Sequence, residues 1–270
     1  EREKTDNLIW QQANYDSLTN LPNRHLLHEK LISAIANAHR DKNQLVIAML
    51  DLDNFKDVND SLGHAAGDIV LAECSKRIKE CIRQNDIVAR LGGDEFILAL
   101  VGTTLPEDIE NIGQKLLKAL AQPYLIEEKK VYCTASIGIA FYPNDAMSID
   151  ALFRNADQAM YKAKTLGRNS LHYFTENMRV DFLKRIEIIQ DLRIAITEKQ
   201  FHMVYQPIVN LDTNQINKAE ALIRWQHPTK GLISPIDFIP IAEETGLIVE
   251  ISEWIFNEVS QQVNYLRNTC

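Results

Sequence analysis

The chain has 270 residues, is 46% hydrophobic and 24% charged, and is long enough for one large or two smaller domains. Its formal charge of −8 is not the basic footprint of a nucleic-acid binder, so an anionic ligand would have to be held by a local cluster of bases or by a metal. The longest apolar runs, such as Leu45–Leu50, are too short to span a bilayer, and no signal-peptide pattern is present, so a cytoplasmic protein or the cytoplasmic part of a membrane-anchored one is expected.

Residues 1–15 are polar, with a weak helical stripe at Leu8, Ile9, Gln12 and Tyr15, and read as the end of a stalk or a terminal helix. Glu1–Lys4 looks like mid-helix sequence, so further chain upstream is expected, with a sensor or a membrane domain among the options. Asp16-Ser17-Leu18-Thr19 opens a turn, and Leu21-Pro22-Asn23-Arg24 leads into a helix reaching about Ala38. Gln44–Leu50 is a strand whose unbroken apolar run marks it as central. Gly67 to about Arg83 has helical periodicity through Val70, Leu71, Cys74, Ile78 and Cys81. Ile87–Leu91 and Glu95–Val101 are strands separated by Gly92-Gly93, a hairpin signal.

Pro106–Leu120 reads as a helix, Val131–Phe141 as a strand, Ser148–Leu166 as a helix with Gly167 in the C-cap position, and Ser170–Phe174 as a short strand. From the Gln44–Leu50 strand onward, the first six elements follow a βαββαβ order. That is the ferredoxin-like arrangement of an α/β (α+β) protein, with helices on one face of an antiparallel sheet. After polar Thr175–Arg179, Val180–Lys199 reads as a linking helix. Phe201–Val209 and Asn217–Trp225 are strands around the turn Asp212-Thr213-Asn214, and helices follow at about Pro235–Glu244 and Val249–Arg267. The expected division is a stalk end at 1–15, a first domain at 16–176, a linker helix at 177–199 and a C-terminal fragment at 200–270. Cys74, Cys81, Cys133 and Cys270 form no CxxC pair and have no nearby histidine at ligand spacing, so reduced thiols are expected.

An apolar strand that ends in Asp51-Leu52-Asp53 is unusual, because it sets carboxylates at a rim that water and ligand can reach. Acidic oxygens with a backbone carbonyl suit Mg²⁺, which takes its remaining ligands from phosphate and water; an aspartate capping the next turn is the alternative. The hairpin narrows the choice. Gly92-Gly93 lets a ligand approach the backbone closely, and Asp94 and Glu95 follow at once. Alternation along a strand points these two acids to opposite faces. In a ferredoxin-like sheet the first strand and this hairpin can lie side by side, and Asp51 and Asp94 could then share a cation. Lys164 and Arg168, four apart at a helix end, either complement the helix C-terminus or hold phosphates, with Lys56 as a third cation.

Residues 16–174 resemble the GGDEF family of diguanylate cyclases. The matching stretches are Asp16–Arg24 (DSLTNLPNR), Asp51–Lys56 (DLDNFK), Asn59–Asp68 (NDSLGHAAGD), Arg83–Phe96 (RQNDIVARLGGDEF) and Tyr161–Asn169 (YKAKTLGRN). Asn20 is the one departure, standing where the family usually has glycine. The resemblance implies a nucleotidyl-cyclase core in which Asp51, the Leu52 carbonyl and Asp94 ligate Mg²⁺ (or Mn²⁺). It implies that Asn59 and Asp68 read the guanine edge of GTP, and that Lys164 and Arg168 hold the distal phosphates with Lys56 nearby. Gly92 and Gly93 would lie against the nucleotide, and Glu95 would sit close to the attacking hydroxyl or the metals. Two such domains, in a homodimer, would condense two GTP into cyclic di-GMP. Arg83 and Asp86 resemble the family's inhibitory site for cyclic di-GMP; an exposed arginine at a helix end with an aspartate starting the next turn is the alternative. Other outcomes are a silent GTP-binding regulatory module attached to a phosphodiesterase, or a cyclic di-GMP receptor acting only through Arg83 and Asp86.

From about residue 185 the chain resembles the start of an EAL phosphodiesterase domain, on Tyr205–Val209 (YQPIV), Glu220–Trp225 (EALIRW) and Phe238–Ile248 (FIPIAEETGLI). There Glu220 would be a metal ligand, with Gln206 and Arg224 near the substrate. A TIM-type barrel needs about 250 residues, so the fragment is expected to be an incomplete barrel without phosphodiesterase activity. It would also expose apolar faces that a complete barrel covers.

Overall fold

The computed structural model describes residues 9–102 and 106–269, and the chain divides into two compact units that part between Arg179 and Val180. In the first unit residues 9–14 are helical; Leu8 of the N-terminal stripe lies outside the described residues. Helix α1 (Arg24–Asp41) starts at Asn23, whose side-chain oxygen accepts from the backbone N–H groups of His25 and Leu26, a standard way of satisfying unpaired first-turn donors. Strand β1 (Leu45–Leu52) follows, then helices α2 (Phe55–Leu62) and α3 (His64–Cys81), strands β2 (Ile87–Gly92) and β3 (Glu95–Val101), and helix α4 (Pro106–Leu120). The hairpin of β4 (Tyr124–Ile126) and β5 (Lys129–Val131) leads to β6 (Ala135–Tyr142), helix α5 (Ile149–Thr165) and β7 (Leu171–Tyr173).

The main sheet has the order β2-β3-β1-β6-β7, antiparallel except for the β6–β7 pair. Every residue of β1 is buried, because this strand has neighbours on both edges and helices on both faces. Alternation divides its side chains: Val46, Ala48, Leu50 and Leu52 pack under α2, α3 and α4, while Leu45, Ile47 and Met49 pack under α1 and α5. The βαββαβ core is thus as expected, with α3 and α4 on one face. The second face is covered by α1, which precedes that core, and by α5, which follows its first six elements. Asp51 falls on this second face.

Two expected elements differ. The single strand expected at Val131–Phe141 is divided: β5 pairs with β4, and residues 132–134 leave the ladder before β6. Helix α2, a separate eight-residue element, was not legible as one. Cys74, Cys81 and Cys133 are free and buried, in keeping with reduced thiols; Cys270 lies outside the described residues.

The second unit comprises most of helix α6 (Glu176–Thr197), then strands β8 (Phe201–Asn210), β9 (Gln215–His227) and β10 (Gly231–Ile233), and helices α7 (Pro235–Thr245) and α8 (Ile248–Thr269). Strand β10 lies between the expected strand Asn217–Trp225 and the helix expected from Pro235, where no element is expected. The three strands form an open antiparallel sheet in the order β10-β9-β8. Its core gathers Phe201, Trp225 and Phe238 with Leu192 and Ile251, and Trp225 Nε1–H donates to Gln200 Oε1 at 3.0 Å. Apolar side chains such as Ile208, Val209 and Phe256 stay exposed, as expected of a barrel fragment. Among the described residues, no helix is long and apolar enough to cross a membrane.

Candidate active site

The hairpin between β2 and β3 turns on Gly93 and Asp94. Gly92 and Gly93 have φ of +147° and +54°, and positive φ at the first turn position is what glycine supplies in a two-residue hairpin. Asp94 sits in the turn, so strand alternation does not govern it. Its carbonyl accepts from Leu52 N–H at 3.4 Å. Across the β1–β3 pair Asp51 stands opposite Glu95, and residues directly opposite one another share a face. The carboxylate facing Asp51 across the ladder is therefore that of Glu95, with Asp94 beside them at the turn.

Asp51 is 7% exposed and its Oδ1 lies 2.8 Å from Lys164 Nζ. Burial pushes its carboxyl up to about 6; the Lys164 contact opposes this, and the charges of Asp94 and Glu95 reinforce it. Much of Glu95 faces solvent, yet loss of hydration at its carboxyl, with the charges of Asp157 and Asp94, raises it above the usual range; Lys164 and Arg24 oppose that rise. Burial raises Asp157 too, against Lys164. Four carboxylates, Asp51, Asp94, Glu95 and Asp157, thus share a neighbourhood with two cations, Lys164 and Arg24.

Such an excess of negative charge at the rim of a buried strand fits a divalent cation held by Asp51, the Leu52 carbonyl and Asp94, with the rest of its ligands from phosphate and water. Among the described residues no three Asp, Glu, His or Cys side chains form a metal-binding group by themselves.

Asn59 is on α2 and Asp68 on α3, the two helices joined at Gly63. A Cβ on Gly67 would come within 2.1 Å of Asn59 Oδ1 and 3.0 Å of Phe55 Cζ. The bare glycine therefore leaves the slot in which the Asn59 amide lies, next to Asp68 in sequence. Asp68 and Lys56 are exposed. Arg168 is also exposed, on a turn after α5, with φ of +63°. Lys164 is bound to Asp51, so of the three expected phosphate-binding cations it alone is drawn into the acidic group.

Arg83 is exposed, whereas the carboxylate of Asp86 is engaged by backbone. Asp86 Oδ2 accepts from Arg83 N–H at 2.8 Å and Oδ1 from Val101 N–H at 3.1 Å. In the second unit Gln206 stands opposite Glu220, and Arg224, four residues further along β9, shares their face.

Sequence reasoning assigned no site role to Arg24, Arg90, Asp157 or Asp53. Arg90 Nε–H and Nη2–H donate to the Gly93 carbonyl at 3.0 and 2.7 Å, while Nη1–H donates to Asp16 Oδ1 at 3.0 Å. Arg24 and Arg90 lie within the quoted motifs, which was the available signal. Asp157 had none, being one acid among many on a helix.

An antiparallel βαββαβ sheet with an acid-tipped central strand facing a diglycine hairpin defines a nucleotidyl-cyclase type of domain. Residues 13–170 match the family model described as "Diguanylate cyclase, GGDEF domain", and residues 189–269 match that of the EAL domain. The chain belongs to the GGDEF family and carries part of an EAL domain behind it. It is 44% identical over 253 residues to the bifunctional diguanylate cyclase/cyclic di-GMP phosphodiesterase MucR of Pseudomonas aeruginosa, an alignment covering 94% of this chain and 37% of that protein. It is 36% identical over 256 residues to the cyclic di-GMP phosphodiesterase NbdA of the same organism, covering 95% and 33%. The chain thus spans about a third of the length of these relatives. The solved GGDEF domain of TpbB (YfiN) from P. aeruginosa is 39% identical, with a TM-score of 0.60 over 61% of this chain and 96% of that one.

Proposed function

We propose that residues 16–176 form a catalytic domain that condenses two GTP into cyclic di-GMP and two pyrophosphates. In this reading residues 1–15 are the end of an upstream stalk, 177–199 a linker helix and 200–270 an EAL fragment without hydrolytic activity. The observation that carries it is the acid rim: Asp51 opposite Glu95, Asp94 at the turn beside them, and Lys164 on Asp51.

Asn59 and Asp68 suit the donors and acceptor of a guanine edge. Arg168 and Lys56 are exposed cations for the distal phosphates, and Lys164 serves them when it leaves Asp51. Mg²⁺ or Mn²⁺ on Asp51, the Leu52 carbonyl and Asp94 would lower the pKa of the attacking hydroxyl and neutralise charge on the leaving group. Glu95 sits by that hydroxyl. The 3′-oxygen of one GTP forms a bond to the α-phosphorus of the other, the bond to pyrophosphate breaks, and the hydroxyl proton is lost. A second, reciprocal step closes the ring. Each domain holds one GTP, so two copies must face each other. Arg83, on a turn closed by Asp86, forms the inhibitory site where bound product restrains the enzyme.

The test is incubation of the purified chain with GTP and Mg²⁺, followed by chromatography for cyclic di-GMP. Product is expected. GTP binding without product from a verified dimer would overturn the reading in favour of a regulatory GTP-binding module, which the likeness to NbdA keeps in view.

A further inference from the structure

Asp53 is the second acid of the run that ends β1, and the site described above does not use it. It is 5% exposed. Its Oδ1 accepts from Ser136 Oγ–H at 2.7 Å, and its Oδ2 accepts from Thr134 Oγ1–H at 2.6 Å and from Asn169 N–H at 3.0 Å. Its own N–H donates to the Thr134 carbonyl at 2.8 Å, and its carbonyl accepts from Cys133 Sγ–H at 3.2 Å. Three stretches of chain meet at this one side chain: the end of β1 just past Asp51, the entry to β6, and the turn carrying Arg168.

That turn needs holding. Gly167, Arg168 and Asn169 have φ of +116°, +63° and +43°. Left-handed backbone at a residue with a Cβ is strained and persists only where surrounding contacts impose it. Arg168 N–H donates to the Ala163 carbonyl at 3.0 Å, which ties the turn back to α5. Asn169 N–H on Asp53 ties it to β1. A carboxylate suits the place because it accepts from three donors at once and needs to donate none.

We propose that Asp53 is a positioning residue: it fixes the Gly167-Arg168-Asn169 turn, and so the Arg168 guanidinium, relative to Asp51. This rests on the reading of Arg168 as a ligand of the GTP phosphates. Asp53 touches no substrate. It joins the strand that bears the acids to the turn that bears the phosphate-binding cation, so both ends of the triphosphate are read from one rigid frame.

The test is a double-mutant cycle on the whole chain. The readouts are the KM for GTP and the Kd of a GTP analogue whose α,β-bridging oxygen is replaced by carbon. Arg168→Ala is expected to raise both by about 10-fold or more, the loss of one charge-assisted contact. Asp53→Ala should raise both by a similar factor in the wild-type background and by less than about 2-fold on top of Arg168→Ala. Asp53→Asn, which keeps one acceptor oxygen and turns an N–H₂ toward a hydroxyl, should recover part of the loss. It also carries the cycle if the alanine variant does not fold. Asp53 effects of equal size with and without Arg168, or a lowered thermal midpoint with KM and Kd unchanged, would overturn the proposal. An Arg168→Ala variant that binds and turns over GTP normally would instead remove the phosphate reading beneath it.

Discussion

Arg90 and Asp16 form an ion pair at 3.0 Å that joins the turn before α1 to the diglycine hairpin. The rest of the Arg90 guanidinium donates to the Gly93 carbonyl, and the Arg90 backbone N–H donates to the Pro22 carbonyl at 3.1 Å. The Asp16 Oδ1 that pairs with Arg90 also accepts from Thr19 N–H and Oγ1–H at 2.8 and 2.6 Å. Asp16 therefore holds Arg90, Arg90 holds Gly93, and Gly93 sets where Asp94 stands. Arg90→Ala should leave the domain folded but lower kcat by about 100-fold, the scale of a small displacement of a reacting group. Arg90→Lys should not restore it, since an ammonium cannot reproduce the planar fork. Steady-state kinetics beside far-UV circular dichroism checks this; normal kcat in the alanine variant would release the hairpin from Arg90.

The same pair gives a pH dependence of stability. Burial raises the Asp16 carboxyl, but the hydrogen bonds from Thr19 and the Arg90 contacts outweigh it and hold the group below its ordinary 3.8. A carboxyl lowered on folding contributes stability that is fully present above its unfolded value and is lost as pH falls through its folded value. The stability difference between wild type and Asp16→Asn should therefore be constant from about pH 5 upward and shrink below about pH 4. Urea unfolding at a series of pH values measures it. A difference that persists unchanged at about pH 2 would mean that the carboxylate charge is not what Arg90 reads.

Long periodic elements were legible because burial and sequence pattern coincide. Strand β1 is apolar throughout and buried on both faces, and α4 was placed at the bounds the structure gives it. The misses have local causes. Helix α2 has only eight residues, begins after Asn54 in a left-handed conformation and has no side-chain cap bond, so no N-terminal signal marks it. The strand expected at Val131–Phe141 breaks because Cys133 and Thr134 turn to Asp53, a long-range demand that periodicity cannot show. Asp51, Asp94 and Glu95 were singled out by their place at a strand end and a hairpin; Asp157, on a helix, was not. That Asp51 faces Glu95 follows only from the register of β1 on β3.

Gly67 tests the guanine reading without touching a polar group. Within a helix, Gly→Ala ordinarily stabilises by about 0.5–1 kcal/mol. Here the added Cβ meets Asn59 Oδ1 at 2.1 Å, the far end of a side chain that can swing away, and the buried Phe55 ring at 3.0 Å, so the amide should move and the ring's resistance should offset the usual gain in helix stability. Gly67→Ala is expected to leave the thermal midpoint near that of wild type while raising the KM for GTP by about 10-fold, as loss of one good polar contact would. Asn59→Ala should match it, and the double variant should be no worse than either. A KM unchanged in Gly67→Ala would place Asn59 outside the nucleotide site.

Asp94 and Glu95 should separate by chemistry. Asp94→Asn removes a charge from the group proposed to hold the cation, so turnover should fall below detection and raised Mn²⁺ should not restore it. Glu95→Gln keeps the shape and removes only the charge opposite Asp51, so GTP-analogue binding should persist while turnover falls by about 100-fold or more. Isothermal calorimetry beside product chromatography distinguishes the two. Turnover in Asp94→Asn within a few-fold of wild type would move the cation elsewhere.

Arg83 and Asp86 should not behave as equals. Asp86 spends both carboxylate oxygens on backbone N–H groups of Arg83 and Val101, closing the turn into β2, whereas the Arg83 guanidinium reaches solvent. If cyclic di-GMP binds here, Arg83 supplies the contact and Asp86 the geometry. Arg83→Ala should then leave the initial rate within about 2-fold of wild type and raise the inhibition constant for cyclic di-GMP by about 10-fold or more. Asp86→Ala should raise that constant as well, but with a lowered thermal midpoint, because two backbone N–H groups lose their acceptor. Asp86→Asn, which keeps one oxygen for them, should fall between in both measurements. Progress curves with added product, read against thermal unfolding of the same variants, decide it: inhibition unchanged in Arg83→Ala would leave this turn a purely structural bend.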